Sequence, residues 1–368
     1  MHVRTERGDG AADPTATVFL VDPDGQLAAT LTPDAAGTVI GSLRPGGSVT
    51  VARPGPPVHL ETVFAVEDGD VLTFGWPEIR NEQVVTVTVP ARAGAFVYGV
   101  TGPCMRGTGS TSTFTARFSR ACGATHPLVV WARNSTDVSS FVSAPVTPTV
   151  DGQVSVTGTW APDVSTALAL EGLEGASSVY IVRSVLIDGA PAHLTTASIA
   201  PINGTANPTF AVPAGIGESV LLEVVTGRGS VHSLYLERPT LTEAAPLDVT
   251  PTIAELLTVT QAGATVEWTH GGGDLADAVV IDYMLEAGSE NVIAEWRAFA
   301  PLAAGSLRLP TLPAPYDHAT IPRAGAMLVE QSGVDGFAAF RNRAGLGDWI
   351  AYEPVPAPAG LRVELRRF

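Results

Sequence analysis

Apolar and polar residues alternate along most of this chain in short runs, and turn residues interrupt them. Val84–Val89 reads VVTVTV, Gly94–Gly99 reads GAFVYG and Thr111–Phe118 reads TSTFTARF. This period of two places successive side chains on opposite faces of an extended strand. Ala16–Val21 (ATVFLV) runs into Asp22-Pro23-Asp24-Gly25, a strong turn signal; Gln26–Leu31 and Thr38–Leu43 follow, and Arg44-Pro45-Gly46-Gly47 leads into Ser48–Ala52. Val154–Thr159, Ser178–Ile187, Ser219–Thr226, Ala264–Thr269 and Ala278–Leu285 continue the series. Strand signals spaced by about 8–12 residues, with turns between, predict an all-β chain of tandem antiparallel β-sandwich domains. One helix is predicted, over Thr250–Leu257, where Thr250 caps and Pro251 takes the first helical position.

A length of 368 residues predicts two to four domains. Proline-rich stretches at Ala144–Val150, Arg238–Pro251, Leu309–Pro315 and Pro354–Pro358 mark candidate joints, the third of which falls inside the last domain and reads equally as a long loop. The division expected is a polar tail over 1–13, a first β-sandwich over 14–90, a second β-unit over 91–150 holding Cys104 and Cys122, a third sandwich over 151–248 and a last one over 249–368. The last is similar in outline to a fibronectin-type or immunoglobulin-like sandwich, with Trp268 on an early strand and Tyr283 and Trp296 on later ones. An internal echo joins Thr88–Gly102 to Phe210–Gly227: each has a strand, Val-Pro-Ala, a glycine-containing turn and a strand ending Val-Thr-Gly.

Residues 16–52 carry a more specific pattern: strand, Asp-x-Asp-Gly, strand, Thr-x-Asp-x-x-Gly (Thr32, Asp34, Gly37), strand, Leu-x-Pro-Gly (Leu43, Pro45, Gly46), strand. This resembles the carboxypeptidase regulatory-like, transthyretin-like β-sandwich. The resemblance implies a fold rather than an activity, and an accessory module of an exported protein. The whole layout is similar to that of envelope proteins of GC-rich bacteria. Some relatives of the module are cross-linked by isopeptide bonds; this chain contains no lysine, all 21 of its basic residues being arginine, so it cannot be.

The absence of lysine also excludes a Walker A lysine and a Schiff-base lysine. A net charge of −16 with no basic block makes nucleic acid and anionic lipid poor partners. Arg341, Arg343, Arg362, Arg366 and Arg367 form one small basic cluster, read as a solvated edge. No apolar run approaches the 18 residues of a membrane-spanning helix. Met1–Pro14 is polar, with no apolar core of a signal peptide. The chain therefore reads either as cytoplasmic or as an exported protein without its leader. The paired cysteines and turn-rich composition favour the second, secreted or in the cell envelope, and compatible with a lipid anchor on the precursor.

Candidate chemistry is sparse. Cys104 and Cys122 flank the TSTFTARF run, a spacing that suits a disulfide clasping adjacent strands. Seven scattered histidines show no metal-ligand spacing. Two acidic turn groups, Asp22, Asp24 and Asp34, then Glu67, Asp68 and Asp70, are the only calcium candidates, and neither matches an EF-hand loop. His270-Gly271-Gly272-Gly273 looks like a lipase oxyanion loop, but no Gly-x-Ser-x-Gly accompanies it. Trp131, Trp268 and Trp296 read as core; Trp76, Trp160 and Trp349 sit where a strand ends or a loop begins. The expectation is a non-enzymatic structural or adhesion-type protein without a cofactor, whose partner is a protein or glycan at the cell surface. The competing expectation is a secreted polysaccharide hydrolase whose carboxylates the fold brings together.

Overall fold

A computed structural model describes residues 1–7, 11–55, 57–76, 82–102, 105–119, 127–135, 137–187, 190–212, 220–228, 231–237, 246–250, 255–271, 276–287, 291–317, 323–331, 336–342 and 361–367. Within them the chain is almost entirely β. Strands occur at the predicted runs, including Thr17–Val21, Leu27–Leu31, Gly47–Arg53, Val97–Thr101, Thr113–Ser119, Ser178–Ile187, Thr265–Gly271 and Ala278–Ala287. The turn at Asp22-Pro23-Asp24-Gly25 closes as its sequence dictates: Gly25 donates to Asp22 O at 2.8 Å with φ at 81°, and a register shift follows at Leu20/Val21.

The organising element is a twelve-stranded sheet. From its middle to one edge run Arg323–Gln331, Ala278–Ala287, Asn291–Ala300, Val58–Val66, Gly47–Arg53, Thr17–Val21 and the edge strand Leu27–Leu31, in that order. Asn291–Ala300 pairs in parallel with Val58–Val66, setting Trp296 opposite Leu60 and Arg297 opposite Glu61. Strands assigned by sequence to the first and last sandwiches, 14–90 and 249–368, thus share one ladder, and the boundary between those two domains does not hold. A parallel joint needs no local turn, so nothing in the sequence near either strand announces it.

Both faces of this central region are covered. On one side lies a small sheet of Thr38–Ile40, His2–Arg7 and Val71–Trp76; Val3, Leu72 and Phe74 pack there against Val18, Leu20, Val51, Val63, Val280 and Phe299. On the other lies Glu255–Ala262, Thr265–Gly271 and Ser306–Arg308; Leu256, Val266, Trp268 and Leu307 pack there against Leu60, Ile281, Trp296, Ala298 and Leu328. Two-sided burial explains why ATVFLV and GSVTVAR read as nearly continuous apolar or small runs, and every residue of Gly47–Arg53 is buried. On the second face the Trp296 indole N–H donates to Thr62 Oγ1 at 2.8 Å, and Thr62 shares a 2.7 Å hydrogen bond with Thr50, all three side chains buried.

The polar tail is a strand: His2–Arg7 sits between two partners, with Val3 and Thr5 fully buried and His2, Arg4 and Glu6 facing out. The alternation was present but diluted by charged neighbours. Thr5 Oγ1 donates to Asp13 O and Gly37 O, and a Cβ on Gly37 would stand 2.4 Å from Thr5 O, so that turn requires glycine. Of the predicted helix Thr250–Leu257, Glu255–Leu257 begin a strand and 251–254 lie outside the described residues. The α-helix among the described residues is instead Gly336–Arg341, whose Phe340 plugs the first core. The proline-rich stretch Leu309–Pro315 is no joint, because Leu309 and Leu312 are buried against the second core.

The second β-unit is an eight-stranded sheet whose strands run from Glu82–Thr88 to Ala161–Pro162, wider than 91–150. Its two edge strands, Gln153–Ser155 and Ala161–Pro162, are joined by a few residues, so the sheet curls around its own core of Val85, Val87, Val100, Phe114, Val130 and Phe141. Of the internal echo, Glu82–Thr88 and Val97–Thr101 lie within this one sheet, whereas Thr209–Val212 and Val220–Arg228 belong to different sheets. Similar strand patterns, not repeated topology, account for it.

Candidate binding site

The acidic turns expected to be calcium candidates are occupied by the protein itself. Arg44 places Nε 3.0 Å from Asp22 Oδ2 and donates from Nη2 to Asp24. That side-chain hydrogen bond, with a second from the Gln26 amide, holds the Asp24 carboxyl below its ordinary value, and the two carboxylates raise Arg44 in turn. Asp34 Oδ1 caps its own turn, accepting from the amides of Ala36 at 2.9 Å and Thr38 at 2.8 Å. Asp70 faces Arg341, whose Nε is 2.8 Å from Oδ2 and whose Nη2 donates to Oδ1 at 3.1 Å; Asn342 Nδ2 adds a bond to Oδ1 at 2.9 Å, and Oδ2 accepts from the Glu67 amide at 2.7 Å. Glu67 and Asp68 are exposed, the latter 3.8 Å from the terminal amine. Among the described residues, no three His, Cys, Asp or Glu are gathered as a metal site. Arg341 is correspondingly not part of a solvated basic edge: it is buried, and Nη1 also donates to Ala65 O at 2.5 Å.

A row of buried and half-buried charge crosses the parallel joint, and sequence reasoning missed it. Asp282, Arg297 and Glu61 stand in register on one face, and the next rung carries Glu295 and His59, with Arg53 opposite His59. Arg297 Nε donates to Asp282 Oδ1 at 2.6 Å. Burial works hardest against the Arg297 charge, but Asp282, Glu61 and Glu295 together outweigh it and raise its pKa. Arg53 Nε donates to Asp13 Oδ2 at 3.1 Å, and Nη2 donates to the carbonyls of Glu6 and Phe74, tying the small sheet to the large one. His59 Nδ1 lies 3.1 Å from Glu295 Oε2, and Arg53 Nη1 lies 4.0 Å from the fully buried Glu61 carboxylate. The signal lay in His59-x-Glu61 and Glu295-x-Arg297, charges spaced by two inside apolar strands. Each acid here has a cationic neighbour, which makes the row a clamp.

A concave feature of the described surface lies elsewhere, on the outer face of the sheet of Glu255–Ala262, Thr265–Gly271 and Ser306–Arg308. Strand alternation puts Leu256, Val259, Val266, Trp268 and Leu307 inward, which leaves Thr258, Thr260, Glu267, Thr269 and Ser306 outward. Register pairs Thr258 with Thr269 and Thr260 with Glu267, and Glu267 with Ser306 on the other side. The Thr258 and Thr269 hydroxyls share a 2.5 Å hydrogen bond. With Trp268, Ala304 and Gly305 these residues line a cleft of about 400 Å³. Trp268 forms part of the floor rather than a platform: it is 4% exposed, and its Nε1 donates to Leu302 O at 3.2 Å. His270 pairs with Leu256 in this sheet, and Gly272 and Gly273 of the His-Gly-Gly-Gly stretch lie outside the described residues.

Cys104 and Cys122 also lie outside the described residues, as does Trp349. Trp160 is not an exposed aromatic: it packs edge-on against Phe141, with ring centroids 4.8 Å apart, and against Tyr98 at 6.4 Å. Beside it Asp163, pushed up by burial, accepts from Ser140 Oγ, which partly offsets the rise.

No model of a known protein family matches the chain, and no curated protein matches it. Among solved structures, a cryo-EM reconstruction of the native conformation of E. coli alpha-2-macroglobulin aligns over 98% of this chain at 10% identity, with a TM-score of 0.14. The chain spans about a quarter of that protein, 27% of its length.

Proposed function

We propose that this chain is a non-enzymatic β-sheet protein of the cell envelope or the secreted space, with a structural or adhesion-type binding role. On this reading, residues 16–52 open a transthyretin-like accessory module, and Cys104 and Cys122 form a disulfide. The observation that carries it is where the polar residues go. Asp22 and Asp24 hold Arg44, Asp70 holds Arg341, and Asp282 and Glu61 flank Arg297; each set staples turns or strands together. Such clamps favour one rigid arrangement of sheets, and a rigid sheet scaffold is how proteins present a surface for recognition. The cleft fits recognition better than hydrolysis, because among its described lining residues only Glu267 bears a carboxylate, whereas glycoside cleavage uses two about 5–10 Å apart.

The test is location. Fractionation of the native host, with protease shaving of intact cells, should place the chain in the envelope or the medium. Recovery with reduced cysteines in the cytoplasmic fraction alone would defeat the proposal.

A further inference from the structure

On the non-enzymatic reading the cleft needs a ligand, and its chemistry narrows the class. We propose that the outer face of the sheet of Glu255–Ala262, Thr265–Gly271 and Ser306–Arg308 binds a neutral, polyhydroxylated ligand, a segment of a glycan chain.

The cleft volume of about 400 Å³ lies within the range of small-ligand sites, at about 300–1,000 Å³. Its walls exclude other classes. Leu257, 46% exposed, stands outside the cleft lining, and the lining itself holds no exposed aliphatic side chain larger than alanine, so a lipid or an apolar peptide finds little surface there to desolvate. Among the described residues no cationic side chain lines the cleft, Arg308 standing one step further along the face beyond Ser306, and Glu267 brings one negative charge, which disfavours phosphate, sulfate and carboxylate ligands. What the face offers is hydroxyl groups, each able to donate one hydrogen bond and accept two. Thr258 and Thr269 meet across one rung, and Thr260, Glu267 and Ser306 line the next, so donors and acceptors stand in two parallel rows. Cross-strand neighbours are about 5 Å apart and same-face residues along a strand about 7 Å, a lattice suited to successive hydroxyls of a sugar chain. Threonine is stiff about χ1, so little side-chain freedom is lost on binding. Glu267 adds one strong acceptor for a pair of sugar hydroxyls. Ala304 and Gly305 leave one wall low, so a ring can lie against the backbone.

An exposed strand often carries threonine for strand propensity alone, so the test needs a matched pair. Thr88 and Thr113 supply it: they are also cross-strand partners with exposed side chains, their hydroxyls 3.3 Å apart, on the eight-stranded sheet far along the chain. Soluble neutral hexasaccharides of α-glucan, β-glucan and chitin type are titrated calorimetrically into the full chain, the T258V/T269V variant and the T88V/T113V variant. One saturable interaction is expected, about tenfold weaker in T258V/T269V, as two lost hydrogen bonds imply, and unchanged in T88V/T113V. In the unsubstituted protein, hydrogen-exchange mass spectrometry with the bound hexasaccharide should show protection in peptides covering 255–271 and 302–308, a readout that does not depend on the variant folding. Absence of binding to all three sugars at millimolar concentration overturns the proposal. So does protection confined to other peptides, or equal weakening in both variants. Cleavage of a bound hexasaccharide, read in the same samples, would support the ligand class while overturning the non-enzymatic reading, so the two failures are distinguishable.

Discussion

Replacing Arg341 by methionine should destabilise the chain although the residue sits in a helix of only six residues. Its side chain is 8% exposed and that of Asp70 7%. The guanidinium faces Asp70, donates to Ala65 O and covers the Phe337 ring at 5.9 Å. Methionine keeps most of the packing volume and removes the charge, leaving the Asp70 carboxylate buried with Asn342 and the Glu67 amide as its donors. Breaking one side of a buried pair costs about 3–5 kcal/mol, and the surviving donors favour the lower end, about 3 kcal/mol. At about 2 °C per kcal/mol for a chain of this size, that is a fall of roughly 6 °C in Tm. Asp70→Asn alone strands the guanidinium and should cost a comparable amount. The double variant removes both charges, keeps Asn342 within reach of an amide oxygen, and should recover at least about half of the summed loss. Urea unfolding followed by far-UV circular dichroism, with a double-mutant cycle over the four proteins, measures this. A single-variant loss under about 1 kcal/mol, or strict additivity, would refute the clamp.

Val3→Ala should cost about 2 kcal/mol, because Val3 is fully exposed in a disordered tail but 0% exposed in the strand His2–Arg7; an unchanged urea midpoint would restore the tail. Asp163 has its pKa raised by burial, so its ionisation opposes folding: the folded state binds the extra proton, and stability declines as pH rises above the ordinary aspartate value of 3.8. Asp163→Asn should therefore raise Tm at pH 7, with the advantage fading below pH 3.8; an advantage that grows in acid contradicts the sign. Peptide mapping without reductant should give one linked peptide containing Cys104 and Cys122, and two alkylatable thiols in air-exposed protein would remove that support for export.

The all-β fold was legible because period-two alternation and Asp-Gly or Pro-Gly turns are local signals, as in the VVTVTV run and the Asp22–Gly25 turn. Sheet membership was not. The pairing of Val58–Val66 with Asn291–Ala300 joins residues far apart in the chain, and each strand alone reads as part of its own sandwich. Met1–Arg7 misled because four of its residues are charged or histidine, although Val3 and Thr5 keep the inward period. The candidate site was missed for a related reason. Thr258, Thr260 and Thr269 are ordinary strand residues until the register brings them together, and Ser306 joins them only through a third strand. Conversely, the acidic turns looked like ligand sets only because their arginine partners are distant in sequence, as Arg341 is from Asp70.

The central claim is recognition without turnover by a rigid sheet scaffold. Its most direct test is product analysis by mass spectrometry after prolonged incubation of the full chain with glycan, ester and peptide substrates. No product above the buffer control is predicted for any substrate. Product formation that disappears when one carboxylate or one histidine is changed, with the melting transition intact, would contradict the account and establish an enzyme.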